Sequence, residues 1–276
     1  MNNVKQGDIS VNDRLALFGY GLFETLLITE KGVRFSYLHW ERMSASAMFL
    51  KLPSPTWDEW TLLLQDFLDK ITGNNYPFAL RVTLSGGNPS LDISPQFFIN
   101  VRSIPYTQHQ YLYGINLTVL PYPLNERSTL SGIKSTNYLE NILAKQEAIS
   151  TGADEGLWLN TQGQVAEGTT SNIFWIKEGV LFTPSLCSGC LAGTRRTIIL
   201  KLAQKMAVKI QVGEYSLLQL MDAEEVFLTN SLMGIMPVAK IGDIPFAVAP
   251  MGDDSSLARC LEYVYGEILE SINGCE

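Results

Sequence analysis

One lysine in the chain stands in a setting where it could do chemistry. Lys134 lies in Gly132-Ile133-Lys134-Ser135-Thr136-Asn137, just ahead of a run with helical periodicity and beside apolar Ile133 and Leu130. A solvated lysine is only a surface charge. A partly buried one has a lowered pKa, becomes an amine nucleophile and can form a Schiff base. Further along, Val165-Ala166-Glu167-Gly168-Thr169-Thr170-Ser171-Asn172 joins a carboxylate to neighbouring hydroxyls. That run suits a plain turn before a strand, or a carboxylate aimed at a ring nitrogen with hydroxyls around it. Leu191-Ala192-Gly193-Thr194-Arg195-Arg196 opens another helical segment. The N–H groups at a helix start favour an anion, and Gly193 lets a phosphate come close. Thr229-Asn230-Ser231 closes a strand-like run with more hydroxyl and amide donors.

Taken singly, each of these has an ordinary structural explanation. Taken together they supply an amine, a carboxylate and phosphate-holding segments, the set that pyridoxal 5′-phosphate (PLP) requires. A carboxylate beside the pyridine nitrogen keeps that nitrogen protonated, because an opposite charge favours the charged form. Lys134 is then the group to move protons.

Other motifs carry less. Cys187-Ser-Gly-Cys190 has the CxxC spacing, but no second CxxC occurs, and Cys260 and Cys275 lie far off in sequence. Both histidines, His39 and His109, are in the first half. A zinc site needs four ligands in coherent spacing, and a redox pair belongs at a helix start after a strand, so no metal site is expected. Gly19-Tyr20-Gly21 begins a dinucleotide fingerprint that Glu24 breaks, and no nucleophile elbow or P-loop occurs.

The elements that must position these residues are readable in outline. Residues 14–28 suggest strands with a tight bend around Gly19 and Gly21. Helical periodicity appears at 37–50 and 56–71, the latter with Asp58 and Glu59 in its first turn, as the helix dipole favours. Strands are expected near 77–84, 97–102 and 116–120, giving a first α+β domain over 1–120. The turn-rich stretch 121–132 reads as a linker, and 133–276 as a second, α/β domain carrying Lys134. In it, helices are expected at 136–150, from Gly193–Thr194 to Met206, and at 255–273. Strands are expected at 156–160, 172–176, 180–183 and 225–229.

Composition sets the outer limits. Apolar residues make up 46% of the 276 residues, enough to bury a core. The net charge of -8 argues against nucleic-acid and anionic-membrane binding, and the polar N-terminus lacks a signal-peptide core. The expected setting is cytoplasmic and reducing, with a small-molecule substrate.

The run GIKSTNYLENILAKQEAISTGADEGLWLN, followed by GQVAEGTTSNIFWI, LFTP and GCLAGTRR, resembles the class-IV aminotransferase family of PLP enzymes. FGYGLFETLLI resembles that family's FGDGxFE motif, and LHWERMSASA its HxxRxxxS segment. The resemblance implies an α+β, two-domain fold type IV subunit like D-amino-acid aminotransferase, working as a homodimer. It implies Lys134 as the Schiff-base lysine, Glu167 at the pyridine nitrogen and Arg42 on the cofactor phosphate. Gly193, Thr194, Arg195, Asn230 and Ser231 correspond to the rest of the phosphate cup, and Thr170 and Ser171 to hydroxyls near the ring. Arg195 stands where many members have Thr, and Tyr20 where many have Asp. Positive charge is then needed only locally, from Arg42, Lys134, Arg195 and Arg81, while the acidic surplus serves solubility at the surface.

Within that family TNSLMGIMPV, residues 229–238, resembles 4-amino-4-deoxychorismate lyases more than transaminases. The implied reaction eliminates pyruvate and gives 4-aminobenzoate for folate synthesis. Tyr20 and Arg81 are the candidates to meet substrate, Arg81 through a substrate carboxylate, though a structural salt bridge suits Arg81 as well. The arginine-rich RGxGxRG stretch of many such lyases is replaced here by Ser85-Gly-Gly-Asn88-Pro89. The alternatives are an aminotransferase acting on a D-amino or branched-chain amino acid, and a non-catalytic PLP-binding protein. The intact Lys134 and Glu167 oppose the latter.

Overall fold

Strand alternation builds the first half. In the computed structural model, which describes residues 8–71 and 76–270, β1 (Gly21–Thr29) pairs with β2 (Gly32–Val33) and β3 (Phe78–Ser85), and β3 with β4 (Phe97–Arg102), all antiparallel. Side chains alternate across such strands. Leu22, Leu26, Ile28, Leu80, Val82, Leu84 and Ile99 therefore share one face, where they form a core with Met43, Trp60 and Leu64. Those three come from α2 (Ser36–Phe49) and α3 (Trp57–Leu68), the two helices expected from periodicity. A Thr56–Glu59 capping box starts α3. By register the opposite face of the sheet carries Phe23, Thr25, Arg81, Thr83 and Asn100.

The segment read as strand from residue 14 differs at its start. Arg14–Phe18 is a short helix, α1, begun by the Asp13 side chain on the Leu15 N–H (2.7 Å). Gly19 ends it in the left-handed region, φ 64°. The cap and the glycine outweigh the strand-like apolar composition.

The second half is built on a nine-stranded mixed sheet. Its strands are β5 (Ile115–Val119), β6 (Glu155–Leu159), β7 (Val165–Gly168), β8 (Asn172–Lys177), β9 (Val180–Pro184), β10 (Lys209–Gly213), β11 (Glu225–Asn230), β12 (Gly234–Ile241) and β13 (Ile244–Pro245). They run in the order β10-β9-β8-β11-β12-β5-β6-β7, with β13 on β12. Its helices are α4 (Gln108–Tyr113), α5 (Leu139–Ser150), α6 (Thr194–Lys205), α7 (Leu217–Met221) and α8 (Leu257–Glu270). The end of the helix expected over 255–273, with Cys275, lies outside the described residues. Among those described, no helix is long and apolar enough to cross a membrane.

The chain divides into units differently from the expected 1–120, 121–132 and 133–276. Residues up to Ile104 join Ile133–Tyr138 in the first unit, and Pro105–Gly132 joins Leu139–Leu269 in the second. β5, expected in the first domain, pairs in parallel with β12 and β6. The expected linker is fastened to the second unit by Leu124 N–H on the Leu159 carbonyl (2.8 Å) and Ser131 Oγ on the Gly189 carbonyl (3.3 Å). Residues 133–138 lie along β1 instead of beginning α5. Phe23 N–H donates to the Lys134 carbonyl (3.1 Å) and Thr136 N–H to the Gly21 carbonyl (2.9 Å).

Candidate functional site

The site residues fall into two groups, one in each unit. In the first, the backbone bonds to β1 hold Lys134 beside an aromatic platform. Its Nζ lies 4.5 Å from the Phe23 ring centre and 5.8 Å from that of Tyr138, and the two rings meet edge to face at 5.2 Å. The Arg81 guanidinium stacks 3.7 Å from the same Phe23 ring. Among the described residues Arg81 has no acidic partner. Burial, with the nearby charge of Arg102, pulls its pKa below the usual arginine range. Arg81 and Lys134 thus share one ring.

Arg42 sits on α2 beneath the other face. Glu24 reaches down from β1 and takes Arg42 Nε (2.8 Å) and Nη2 (2.6 Å) on its two oxygens. His39 Nδ1 is 2.6 Å from the same carboxylate. Burial alone would raise the Glu24 carboxyl. The Arg42 charge and the His39 bond together outweigh it and hold the carboxyl at about 2. The sequence reading assigned Arg42 but gave no role to Glu24 or His39. Their motifs were visible, but a pairing between strand and helix was not.

Tyr20 departs from its weak substrate assignment. Its ring packs against the first-unit core, and its hydroxyl donates to the Leu50 carbonyl.

In the second unit, Glu167 at the end of β7 accepts from Leu191 N–H (2.9 Å) and from Asn172 Nδ2 (3.3 Å). The same Asn172 amide donates to the Leu191 carbonyl (2.8 Å). Asn172, unassigned from sequence, therefore clamps the carboxylate to the loop that opens α6. Gly193 is required there, because a Cβ would lie 1.9 Å from Asn172 Oδ1.

The start of α6 is unusual in charge. Gly193 gives it no side-chain cap, no acidic residue lies in its first turn, and Arg195 and Arg196 are both buried. Arg195 Nη2 reaches the Ser231 carbonyl (3.0 Å), so this arginine ties the helix to the turn after β11. Cations at a helix N-terminus oppose its dipole, an arrangement that an anion would relieve.

The remaining hydroxyl and amide groups divide. Ser171 Oγ is buried with no hydrogen-bond partner among the described residues, as is Thr229 Oγ1 across from Asn172 in the sheet register. Thr170 Oγ1 is instead engaged by Glu155 (3.0 Å), and that buried carboxylate also holds the Thr169 N–H (3.1 Å). The Asn230 amide oxygen accepts from Leu232 and Met233 N–H (2.9 Å each). Its nitrogen donates to the Tyr106 hydroxyl (2.8 Å) and the Thr170 carbonyl (3.2 Å). The Asn230 side chain thus ties the turn after β11 to Tyr106 and to the Thr170 backbone.

These residues fit PLP. The second unit combines a held carboxylate, a cationic uncapped helix start and orphaned buried hydroxyls, and the first presents an amine on aromatic rings. The CxxC cysteines divide, Cys187 being exposed. Cys190 is buried with its thiol on the Ser185 carbonyl (3.4 Å), and burial with the Glu167 charge pushes its pKa to about 11. Among the described residues no group of three or more His, Cys, Asp or Glu could hold a metal.

Known proteins bear on this arrangement. The family model for amino-transferase class IV matches residues 21–241. An aminodeoxychorismate lyase from Vibrio harveyi is 30% identical over 248 residues, covering 87% of this chain and 90% of that protein. A D-alanine aminotransferase from Listeria innocua is 31% identical over 283 residues, covering 97% and 93%. The crystal structure of 4-amino-4-deoxychorismate lyase from Pseudomonas aeruginosa matches with a TM-score of 0.84 at 27% identity, over 97% of each chain. The mixed helix-and-sheet architecture is that of the fold type IV enzymes. With the lysine, the carboxylate and the helix start in the family's order, and with the family match spanning most of its length, this chain belongs to the class-IV aminotransferases.

Proposed function

We propose that the chain is a PLP-dependent 4-amino-4-deoxychorismate lyase. The observation that carries this reading is the shared Phe23 ring: Arg81 and Lys134 both lie on it, so a carboxylate held by Arg81 lies beside the lysine amine. The substrate has a ring carboxylate and an enolpyruvyl carboxylate, which suits a face with Arg81 and, nearby, Arg102. The resemblance of residues 229–238 to lyases and the Vibrio harveyi relative support the same choice.

In this reading Lys134 would carry the cofactor and Glu167 would hold its ring nitrogen protonated, and Arg42 and the start of α6 are each read as phosphate-binding by the family resemblance. Ser171 supplies a hydroxyl near the ring. When bound, PLP supplies an electron sink for the charge left as a C–H bond beside the substrate amine breaks. Lys134 Nζ takes the C4 proton of aminodeoxychorismate, the ring carbon–oxygen bond to the enolpyruvyl group breaks as the six-membered ring becomes aromatic, and the proton passes to the methylene carbon of the departing enolate to give pyruvate. Asn172 keeps the Glu167 carboxylate aimed while charge moves. A cytoplasmic homodimer serving folate synthesis goes with this reading, and sedimentation of the purified protein tests the dimer.

The experiment is a paired assay. Supplied with aminodeoxychorismate, the protein should release pyruvate and fluorescent 4-aminobenzoate, and Lys134→Ala should lose both the product and the visible cofactor band. Amino transfer from D-alanine to a keto acid, without 4-aminobenzoate, would favour the second reading, a D-amino-acid or branched-chain aminotransferase. The Listeria innocua relative supports that alternative.

A further inference from the structure

Glu24 is the one charged residue on the core-facing side of β1 and β3, where its neighbours are Leu22, Leu26, Leu80 and Val82. It is 1% exposed. An ionised carboxylate in such a place is costly to bury, and an apolar pair of similar volume often serves a core as well or better. Stability is therefore a weak reason for this residue. Its geometry supplies a better one. Its oxygens take Nε and Nη2 of Arg42 at 2.8 and 2.6 Å, which fixes the plane of the guanidinium. His39, one helical turn before Arg42 on α2, adds a second anchor at 2.6 Å and stops the carboxylate from rotating.

We propose that Glu24, braced by His39, is a positioning residue that holds the Arg42 guanidinium in the orientation that receives the cofactor phosphate. This rests on the reading of Arg42 as a phosphate ligand. It separates from a simple charge argument by sign. If charge alone mattered, removing the negative Glu24 would strengthen phosphate binding. If orientation matters, removing it weakens binding although the local charge becomes more positive.

The test titrates the full chain, freed of cofactor, with PLP and with pyridoxal, the same aldehyde without phosphate. The unsubstituted protein should prefer PLP, and Arg42→Met should lose much of that preference. Glu24→Gln should lower PLP affinity about tenfold, the size of one charge-assisted hydrogen bond, and leave pyridoxal affinity unchanged. In the Arg42→Met background, Glu24→Gln should add nothing, because the two act through one contact. Unchanged or tighter PLP binding by Glu24→Gln, with Arg42→Met weakened, would overturn the positioning role. So would an equal fall for PLP and pyridoxal, which marks a general loss of fold. If Arg42→Met keeps the full preference for PLP, the phosphate reading of Arg42 is overturned, and this inference with it.

Discussion

Single side chains here are set by what they face. Glu24 titrates in the folded protein at about 2 against an ordinary 4.5 because Arg42 and His39 overcome its burial. A carboxyl with a depressed folded pKa contributes stability that is present above pH 4.5 and is lost as pH falls toward 2. Glu24→Gln removes that component, so its acid unfolding, followed by circular dichroism, should be flatter than the parent's across that interval. Arg81 makes the other residue-scale prediction. Its guanidinium lies on the Phe23 ring and has no acidic partner among the described residues, so Arg81→Met should raise KM by about tenfold, the size of a lost charged hydrogen bond, and spare the visible cofactor band. A fall in kcat with KM unchanged would count against a binding role. Lys134 and Glu167 stand in contiguous motifs of the sequence, whereas Arg81 stands in none and shows its aromatic partner only in the folded strand. The roles of Glu24 and Asn172 were not legible there, because their partners lie on other elements.

At the scale of elements, the loop opening α6 is the most constrained piece. Asn172 bridges Glu167 and Leu191, and a Cβ at Gly193 would run into the same amide. Gly193→Ala should force Asn172 aside and cost about 1–3 kcal/mol by breaking bonds to a carboxylate and a buried carbonyl. A thermal melt and faster cofactor release on dilution would both register this, and an unchanged melt would show that the loop yields freely. Helix existence was legible from periodicity, as α2, α3 and α6 show. Strands fared less well. β12 contains Pro237 and follows a glycine turn, and nothing in its composition announces a central strand. Its partners β11 and β5 make it one.

For the whole molecule, the first unit is discontinuous in sequence. Ile133–Tyr138 belongs with β1, and β5 lies inside the second unit's sheet. Fragments cut at the apparent linker, 1–120 and 133–276, should therefore fail to show cooperative melting. The first lacks the segment that carries Lys134 along β1, and the second lacks β5 between β12 and β6. Cooperative melting of either alone would contradict this division of the chain.

What the sequence determined by itself is the family, because a lysine, a carboxylate and a glycine-led helix start each stand in a contiguous motif in that family's order. Those signals are local because a motif's backbone conformation and its reactive group are neighbours in the chain. Tertiary structure alone decided which unit holds Lys134, which carboxylate pairs with Arg42, and which buried hydroxyls are left without a partner among the described residues. Each of these depends on pairing between distant segments, where burial and hydrogen bonding, not local composition, choose the partner.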